Sequence, residues 1–304
     1  MTTDVAILTP DPAVGEYAKL WPRILERLQG ALEAEGLRAV PAPWTRHADG
    51  GGLEAFACVL PLLAWSYHRD HGRWLRACAA WERAGLPMAN PARVLAWNSD
   101  KRYLAELAER GVAIPPTRWT ARLRASDLEA AFAETGADAL IVKPTVSGGA
   151  WRTLKVARDG IAAALDQAAA DAGAADGIEL MIQPCVPTIA SDGETSLLYF
   201  GGALSHVVNK RPVPGDFRVQ ETFGGAYRRL DAAPGGALEL AGRVLDAIDA
   251  PLLYARIDMV PDAAGRWLLM EAELIEPDFY LGAAPEGGAR FARALRRHLE
   301  ASGS

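Results

Sequence analysis

The sequence has few cysteines and no long apolar run, and each shortage excludes a class of protein. Its three cysteines, Cys58, Cys78 and Cys185, are odd in number and lack the close spacing of metal ligands, so neither a disulfide framework nor a zinc site is indicated. The longest uncharged apolar stretch covers residues 55–65 and is interrupted by Pro61. Because a membrane helix needs about 20 apolar residues, we expect no transmembrane segment.

The chain also lacks an excess of basic residues and a leader-like N-terminus. It has 38 acidic against 32 basic residues, and the resulting net charge of −6 gives no general attraction for nucleic acid or anionic lipid. Residues 1–12 carry Asp4 and Asp11 where a signal peptide would have basic and then apolar residues. The sequence therefore predicts a cytoplasmic protein without a nucleic-acid or membrane partner. With 304 residues, 50% of them hydrophobic, the chain is long enough for about two folded domains.

The N-terminal third predicts a parallel α/β domain. Short apolar runs alternate there with segments of helical spacing, in the order 5–8, 21–32, 37–40, 56–63 and 74–81. This alternation is typical of strands that pair in parallel beneath covering helices. The glycines at 50–52 follow a polar turn and do not have the G-x-G-x-x-G spacing between a strand and a helix. A Rossmann-type oxidoreductase is therefore disfavoured.

The pattern changes after Pro91. Asn98 or Ser99 is expected to cap a helix that runs through Leu104, and further helices are expected after residue 160 and over 291–299. The later strands are predicted at 140–142, 179–183, 195–200, 203–208, 252–260 and 267–273. The Gly201-Gly202 pair is a strong hairpin turn signal, and hairpin strands are antiparallel. We therefore expect α+β character in the second half instead of another doubly wound sheet.

The last hairpin carries a group of charged side chains. Because side chains alternate faces along a strand, Arg256 and Asp258 share one face, Glu271 and Glu273 share a face of the partner strand, and Asp258 falls opposite Glu271. If this face is interior, a hard divalent cation would relieve the repulsion between the three carboxylates, and Mg²⁺ prefers such oxygen ligands together with waters or phosphates. The alternative is a solvated outer face of the hairpin.

Several cations lie beside glycine-containing turns. Lys143 ends an apolar strand and precedes the turn 144–149, whose backbone amides could approach phosphate oxygens. Lys101 stands near a predicted helix start, where a cation opposes the helix dipole. Lys210 and the segment 218–225 repeat the combination of positive charge and glycine. Taken singly, each of these features is also typical of a solvated surface or a polar connection.

Taken in chain order, residues 98–278 resemble an ATP-grasp ligase of the carboxylate-amine branch, which includes glutathione synthetase and the ribosomal-protein glutamate ligase. The runs 97–104, 193–199 and 271–277 are similar to the cycloserine biosynthesis group, whose enzyme is an O-ureidoserine cyclo-ligase. The resemblance implies an N-terminal α/β domain, a small lid and a central antiparallel-sheet domain, with ATP enclosed between the last two. The corresponding divisions are 1–96, 97–185 and 186–304.

The resemblance also implies roles for individual residues. ATP contacts are expected from Lys101, Lys143, Ser147, Gly148, Gly149, Gln183, Cys185, Val186 and Lys210. Magnesium ligands are expected at Asp258, Glu271 and Glu273, and catalytic roles at Lys143, Arg218 and Arg256. Candidate substrate contacts are Trp65, Tyr67, His68, Arg152, Glu194, Arg218, Gly224 and Gly225. Three residues depart from the family pattern: Pro184 replaces a hinge glutamate, and Gln220 and Glu273 stand where asparagines are usual.

The reaction implied by this resemblance uses ATP and Mg²⁺ to convert a substrate carboxylate to an acyl phosphate, which a nitrogen then attacks. The preferred hypothesis is cyclisation of a small amino acid of the O-ureidoserine type. The alternatives are a ligase that joins an amino acid to a separate amine, and a nucleotide-binding protein without catalysis. A homodimer is compatible with the sequence, which does not fix the oligomeric state.

Overall fold

Three open sheets, each covered by helices, make up the part of the chain that the structure describes. This computed structural model describes residues 2–13, 15–172 and 179–302. The strands are β1 Thr3–Thr9, β2 Leu37–Pro43, β3 Cys58–Leu60, β4 Arg118–Thr120, β5 Ala139–Pro144, β6 Leu154–Ala157, β7 Leu180–Pro184, β8 Glu194–Phe200, β9 Ala203–Arg211, β10 Ala226–Leu230, β11 Tyr254–Pro261 and β12 Trp267–Glu273. The helices are α1 Trp21–Glu33, α2 His71–Arg83, α3 Ala92–Asn98, α4 Tyr103–Glu109, α5 Ala125–Thr135, α6 Ile161–Ala172, α7 Thr188–Ser191, α8 Gly235–Ile248 and α9 Ala289–Ser302.

The N-terminal sheet is parallel, as the sequence predicts. Its strand order is β2-β1-β3, and β1 pairs in parallel with both neighbours. Helix α1 buries Leu25, Leu28 and Leu32, which recur at helical spacing, while α2 buries Trp74 and Trp81. The third strand is shorter than the apolar run 56–63, since Pro61 has no backbone N–H to donate to a ladder.

The other two sheets are antiparallel. One has the order β4-β7-β5-β6 and the other the order β10-β9-β8-β11-β12. Gly201 and Gly202 have φ values of +57° and +78°, so both adopt the left-handed conformation that a tight hairpin between β8 and β9 requires. The fold is therefore α/β with α+β character, as expected.

The predicted helix cap is wrong in detail. Asn98 is the last residue of α3, and α4 begins at Tyr103 after Arg102, which makes no side-chain cap. The Asn98 amide is buried and used elsewhere: it donates to Ala272 O at 2.8 Å and accepts from Leu274 N at 2.9 Å. A polar side chain next to a predicted helix start suggests a local cap, but the partners of Asn98 lie on β12 and on the residue that follows it.

The C-terminal helix returns to the N-terminal sheet. Phe291 and Leu295 of α9 share one core cluster with Leu28 and Leu32 of α1 and with Ile7 of β1. The core therefore runs across the expected division between residues 1–96 and 186–304, and the three-part division stays a prediction. No helix in the described ranges is long and apolar enough to cross a membrane.

Candidate active site

The charged hairpin has the predicted register and faces the interior. Asp258 of β11 lies opposite Glu271 of β12, and Arg256 lies opposite Glu273. The Arg256 and Asp258 residues are only 7% and 2% exposed, so the alternative of a solvated hairpin face is wrong. Strand β8 pairs with the other edge of β11 and places Ser196 beside Asp258. The sheet thus assembles one buried polar surface from three neighbouring strands.

Acidic and basic side chains alternate across this surface, in the order Glu194, Lys210, Asp258, Arg256 and Glu273. The Lys210 ammonium pairs with Glu194 and lies 3.0 Å from Asp258 Oδ2. Arg256 donates from Nη2 to Asp258 Oδ2 at 3.0 Å and also pairs with Glu273. The hydroxyl of Ser196 donates to Asp258 Oδ1 at 2.6 Å. Every carboxylate in this row therefore has a cationic partner, which offsets the cost of removing it from water.

Two lysines from the neighbouring elements complete the site. Lys101 Nζ lies 3.1 Å from Glu271 Oε1 and donates to the carbonyl of Ser147 at 2.7 Å. The Lys101 backbone N–H also donates to Thr145 O at 2.9 Å, which fixes the start of α4 against the turn after β5. Burial, followed by the positive charge of Lys101, lowers the pKa of Lys143, although Glu271 opposes the shift. Both lysines therefore lie in the electric field of Glu271.

The carboxyl pKa values separate into two groups. Burial works to raise the pKa of Asp258 and of Glu271, but the adjacent cations outweigh it and lower both. Burial raises the pKa of Glu273 to about 8, against the opposing charge of Arg256 and with support from Glu271. Neighbouring carboxyl groups whose pKa values are shifted in opposite directions are typical of functional sites.

Comparison with known proteins places these features in a family. No family model matches the chain. It is 30% identical over 299 residues to the cycloserine biosynthesis protein DcsG of Streptomyces lavendulae, covering 92% of this chain and 93% of that protein. The crystal structure of D-cycloserine synthetase DcsG matches with a TM-score of 0.81 and 27% identity, over 97% of this chain and 99% of that one. This chain is an ATP-grasp ligase of the DcsG family.

More distant structures share the ATP-grasp fold. The D-alanine–D-alanine ligase of Bacillus anthracis has a TM-score of 0.72 at 14% identity, over 99% of this chain and 98% of that one. The ATP-grasp ligase PsnB, in complex with a minimal precursor, has a TM-score of 0.65 at 17% identity, over 99% of each chain. These two structures show the shared fold, whereas membership of the DcsG family makes this chain an ATP-dependent carbon–nitrogen ligase, as the resemblance implies.

The carboxylates of this ATP-grasp ligase fit Mg²⁺ when phosphates share the coordination. Within the described residues, no three His, Cys, Asp or Glu side chains cluster closely enough to hold a metal by themselves. Both oxygens of Asp258 already accept from Ser196, Lys210 or Arg256. The side chains of Glu271 and Glu273 stay 31% and 29% exposed. Since Mg²⁺ commonly takes one or two carboxylates beside substrate phosphates, Glu271 and Glu273 fit this donor set best.

The expected ATP contacts occupy the sheet that carries Lys143. Gln183 lies on β7 and is buried, with its amide donating to Thr117 Oγ1 at 3.0 Å. The backbone N–H of Cys185 donates to Ala139 O at 2.8 Å, so this amide is already used within the sheet. Val186 is buried, and the turn after β5 places Ser147, Gly148 and Gly149 beside Lys101 and the N-terminal domain.

The residues predicted to contact substrate in and near the N-terminal domain lie in different surroundings. The His68 ring lies 5.4 Å from the ring of Trp151 and faces Gly148. Tyr67 is buried against Trp74, whereas Trp65 packs on Tyr17. Arg152 lies over the Trp151 ring at 4.2 Å, in the segment that follows the glycine turn. The structure thus brings His68 to the glycine turn, buries Tyr67 in the apolar cluster that contains Trp74, and packs the partly buried Trp65 against a second apolar cluster.

The remaining candidates make contacts that the sequence did not predict. Glu194 was expected to contact substrate, and the structure turns its carboxylate to Lys210. Arg218 pairs with Asp216 at 2.8 Å and lies over the Phe223 ring at 3.8 Å, and no ion pair joins it to the acidic hairpin. Gly224 and Gly225 close the same loop, where the Gly225 N–H donates to Gln220 O at 3.1 Å.

Sequence reasoning missed two residues at this site. Tyr280 lies with its ring 5.2 Å from the Arg256 guanidinium and 6.0 Å from the Lys210 ammonium. Burial raises the pKa of Glu276 to about 8, with Lys101 opposing the shift and Glu271 supporting it. The sequence position of Glu276 could have identified it, because it follows Glu273 by three residues in the segment that resembles the cycloserine group.

Proposed function

We propose that this ATP-grasp ligase phosphorylates a substrate carboxylate and then forms a carbon–nitrogen bond through the acyl phosphate. A carboxylate oxygen attacks the γ-phosphorus of ATP, the bond from phosphorus to the β,γ-bridging oxygen breaks, and ADP leaves. A nitrogen then attacks the acyl carbon, the bond to the phosphate oxygen breaks, inorganic phosphate leaves, and the nitrogen releases a proton. Phosphoryl transfer of this kind depends mainly on positioning and charge stabilisation.

The observation that carries this proposal is the meeting of Lys101 with Glu271. A lysine at the entry to α4 lies 3.1 Å from a carboxylate of β12 and holds the turn after β5 through Ser147 O. The site therefore offers cations and carboxylates side by side at the seam of two sheets. A polyphosphate with its metal ion needs this combination, because the lysines neutralise phosphate oxygens while the carboxylates hold the metal.

We assign the roles as follows. Lys101 and Lys143 bind ATP phosphates, assisted by Lys210 and the turn 147–149, while the segment 183–186 lies against adenine. Glu271 and Glu273 would hold Mg²⁺, with Asp258 as a further candidate ligand. When bound, Mg²⁺ supplies positive charge that offsets the charge developing on the transferred phosphoryl group. Arg256 neutralises the same charge from the protein side.

The substrate side is assigned to the seam with the N-terminal domain. Tyr67, His68 and Arg152 lie there, and we propose that they contact the substrate. Arg218 with the Gly224-Gly225 segment is proposed to stabilise the acyl phosphate after the loop moves inward from its Asp216 contact. Exclusion of water by the turn 147–150 would protect the acyl phosphate from hydrolysis.

We propose a small amino acid of the O-ureidoserine type as substrate, cyclised by a nitrogen of the same molecule. Membership of the DcsG family supports this choice, since the relative is named for cycloserine biosynthesis. A second candidate is ligation of an amino acid to a separate amine. The shared fold of a protein named D-alanine–D-alanine ligase supports this candidate. The cytoplasmic location and the homodimer stay predictions from the sequence.

A panel of carboxylates with ATP and Mg²⁺ tests the proposal, with ADP formation as the readout. We expect O-ureidoserine to release ADP and phosphate without an added amine and to give a cyclic product. Strict dependence on a second amine would instead establish intermolecular ligation. Nucleotide binding without ADP formation for any carboxylate would support a protein that has lost catalysis.

Two variants test the site itself. Lys143→Ala and Glu271→Ala should each lower the rate of ADP formation by about 100-fold or more, because each removes a charge from the transition state. Lys19→Ala is the matched control, since this lysine is exposed just before α1 in the N-terminal domain. Both site variants should keep the circular-dichroism spectrum of the native protein. Near-normal turnover in either would remove that residue from the mechanism.

A further inference from the structure

One carboxylate of the active site, that of Glu276, has no ion pair within the part of the chain that the structure describes. Among the described residues, the acids of the site are matched to cations as follows: Glu194 and Asp258 to Lys210, Asp258 and Glu273 to Arg256, and Glu271 to Lys101. Glu276 forms no ion pair with any residue in the described ranges. Lys101 lies near it, but the Lys101 ammonium is engaged by Glu271 and by Ser147 O.

The position of Glu276 is fixed by its neighbours in the chain. Ile275 packs in the apolar cluster that contains Tyr67 and Trp74, and its carbonyl accepts from the Tyr254 hydroxyl at 2.8 Å. Glu276 therefore follows β12 to the point where the central sheet meets the N-terminal domain. Its side chain is half-buried, so it is open to a ligand while lying in partly desolvated surroundings.

Tyr67 lies on the same side of this seam. Burial raises the pKa of the Tyr67 hydroxyl, and the negative charges that add to this shift are Glu276, Glu271 and Glu273, with Glu276 the largest of the three. Tyr67 and Ile275 share one apolar cluster, which brings Tyr67 to the segment that carries Glu276. A half-buried carboxylate in this seam offers acceptors for the N–H donors of an ammonium group.

A half-buried acidic group without a cationic partner is an exception in folded proteins, and such exceptions concentrate at functional sites. Because no residue in the described ranges supplies a cation to Glu276, we look for that cation on a ligand. A magnesium ion is less suited to this place, because Glu271 and Glu273 precede Glu276 on β12 and already supply the one or two carboxylates that Mg²⁺ takes beside phosphates. A substrate ammonium group needs a separate carboxylate, away from the phosphates.

We propose that Glu276 binds the ammonium group of the amino-acid substrate and thereby selects amino acids over simple carboxylic acids. This inference rests on the proposed function, since it places the substrate carboxylate toward Lys101 and Arg256 and the substrate ammonium toward the N-terminal domain.

The test compares O-ureidoserine with its analogue that carries hydrogen in place of the ammonium group. ADP formation is measured at saturating ATP and Mg²⁺ for the native protein, Glu276→Gln and Glu286→Gln. In Glu276→Gln we expect KM for the amino acid to rise about 10- to 100-fold, because a charge-assisted hydrogen bond is lost. KM for the analogue should stay unchanged or fall. Glu286→Gln is the control, because Glu286 is exposed and pairs only with arginines of α9.

An equal loss for both compounds would overturn the inference, since it would assign Glu276 to the metal or to the fold. Glu276→Asp serves if the glutamine variant fails to fold, and should raise KM for the amino acid alone by a smaller factor. Should the native protein form no ADP with any carboxylate, the proposed function fails by itself. Calorimetric binding of both compounds, in the presence of Mg²⁺ and a non-hydrolysable ATP analogue, then decides the inference: a preference for the ammonium compound that disappears in Glu276→Gln supports it, and equal binding refutes it.

Discussion

Replacing Lys210 by methionine tests the buried row of ion pairs. The Lys210 side chain is 3% exposed, and its ammonium pairs with Glu194 and Asp258. Methionine has a similar length but no charge. Asp258 keeps Arg256 and Ser196 as partners, whereas Glu194 has no other ion pair in the described part of the chain. The substitution therefore leaves one buried carboxylate, Glu194, without a cation.

The expected loss of unfolding free energy is large because the carboxylate left without a cation, that of Glu194, is buried. Removing one partner of a buried ion pair costs about 3–5 kcal/mol of unfolding free energy. At roughly 2–4 °C per kcal/mol for domains of about 150–250 residues, the unfolding temperature should fall by about 10 °C. Urea unfolding followed by circular dichroism measures the first quantity, and a thermal scan measures the second. Activity is not needed for either readout.

Two further variants distinguish the effect of the lost Lys210 charge on stability from the effect of its changed packing. Lys210→Met combined with Glu194→Gln removes the stranded carboxylate and should recover about half of the loss or more. Lys155→Met is the matched control at an exposed lysine and should change stability by less than about 0.5 kcal/mol. The reasoning is refuted if Lys210→Met costs no more than this control, or if the double variant is no more stable than the single one.

The pH dependence provides an independent check of the same reasoning. Burial holds the pKa of Glu194 above its ordinary value of 4.5, although Lys210 opposes this shift. Removing Lys210 takes away that opposition, so the pKa should rise further. A carboxyl group with a raised pKa in the folded state binds more protons folded than unfolded, and its stability contribution falls as pH rises. The loss in Lys210→Met should therefore be smaller at pH 5 than at pH 8, and the reverse trend would contradict it.

The packing of the described residues gives expected outcomes for three further substitutions and one control. Asn98→Ala removes an amide that donates to and accepts from the backbone of β12, and should cost about 2–3 kcal/mol in urea unfolding because it leaves buried backbone groups unpaired. Gly225→Ala would place a Cβ 2.0 Å from Val219 O, so it should lower the unfolding temperature, whereas Gly242→Ala in α8 meets nothing within 4 Å and should be neutral or stabilising. Tyr254→Phe loses one buried hydrogen bond and should cost about 1 kcal/mol by the same measurement.

The elements that the sequence predicted well are those fixed by local pattern. Strand periodicity and a short turn were enough to place Asp258 opposite Glu271, which is the observed register. The Gly201-Gly202 hairpin followed from the conformational freedom of glycine. Seven elements were missed, and they are α3, β4, α5, β6, α7, β10 and α8. Strands β4 and β6 have three and four residues, too few for alternation to be distinguished from a polar connection.

The partners of the charged residues could not be read from local pattern. Lys210 and Asp258 are 48 residues apart, and only the pairing of β9 with β8 and of β8 with β11 brings them together. Arg218 illustrates the opposite case, since a carboxylate two residues away captures it within its own loop. The resemblance identified which residue types belong to the site, and the sheet topology determined which of them meet.

The contacts at the outer edge of β12 explain how Lys101 comes to lie opposite Glu271. β12 is the last strand of its sheet, and such an edge leaves backbone groups that must find partners. Asn98 satisfies Ala272 O and Leu274 N, and the Tyr103 hydroxyl accepts from Ala272 N at 2.9 Å. Since side chains alternate along a strand, fixing the backbone of residues 272 and 274 fixes the direction of the side chains on either side of each. Lys101 lies between Asn98 and Tyr103 in the chain and is thereby held opposite Glu271. The same contacts that protect a sheet edge therefore set the distance between the first lysine and the carboxylate that it pairs with.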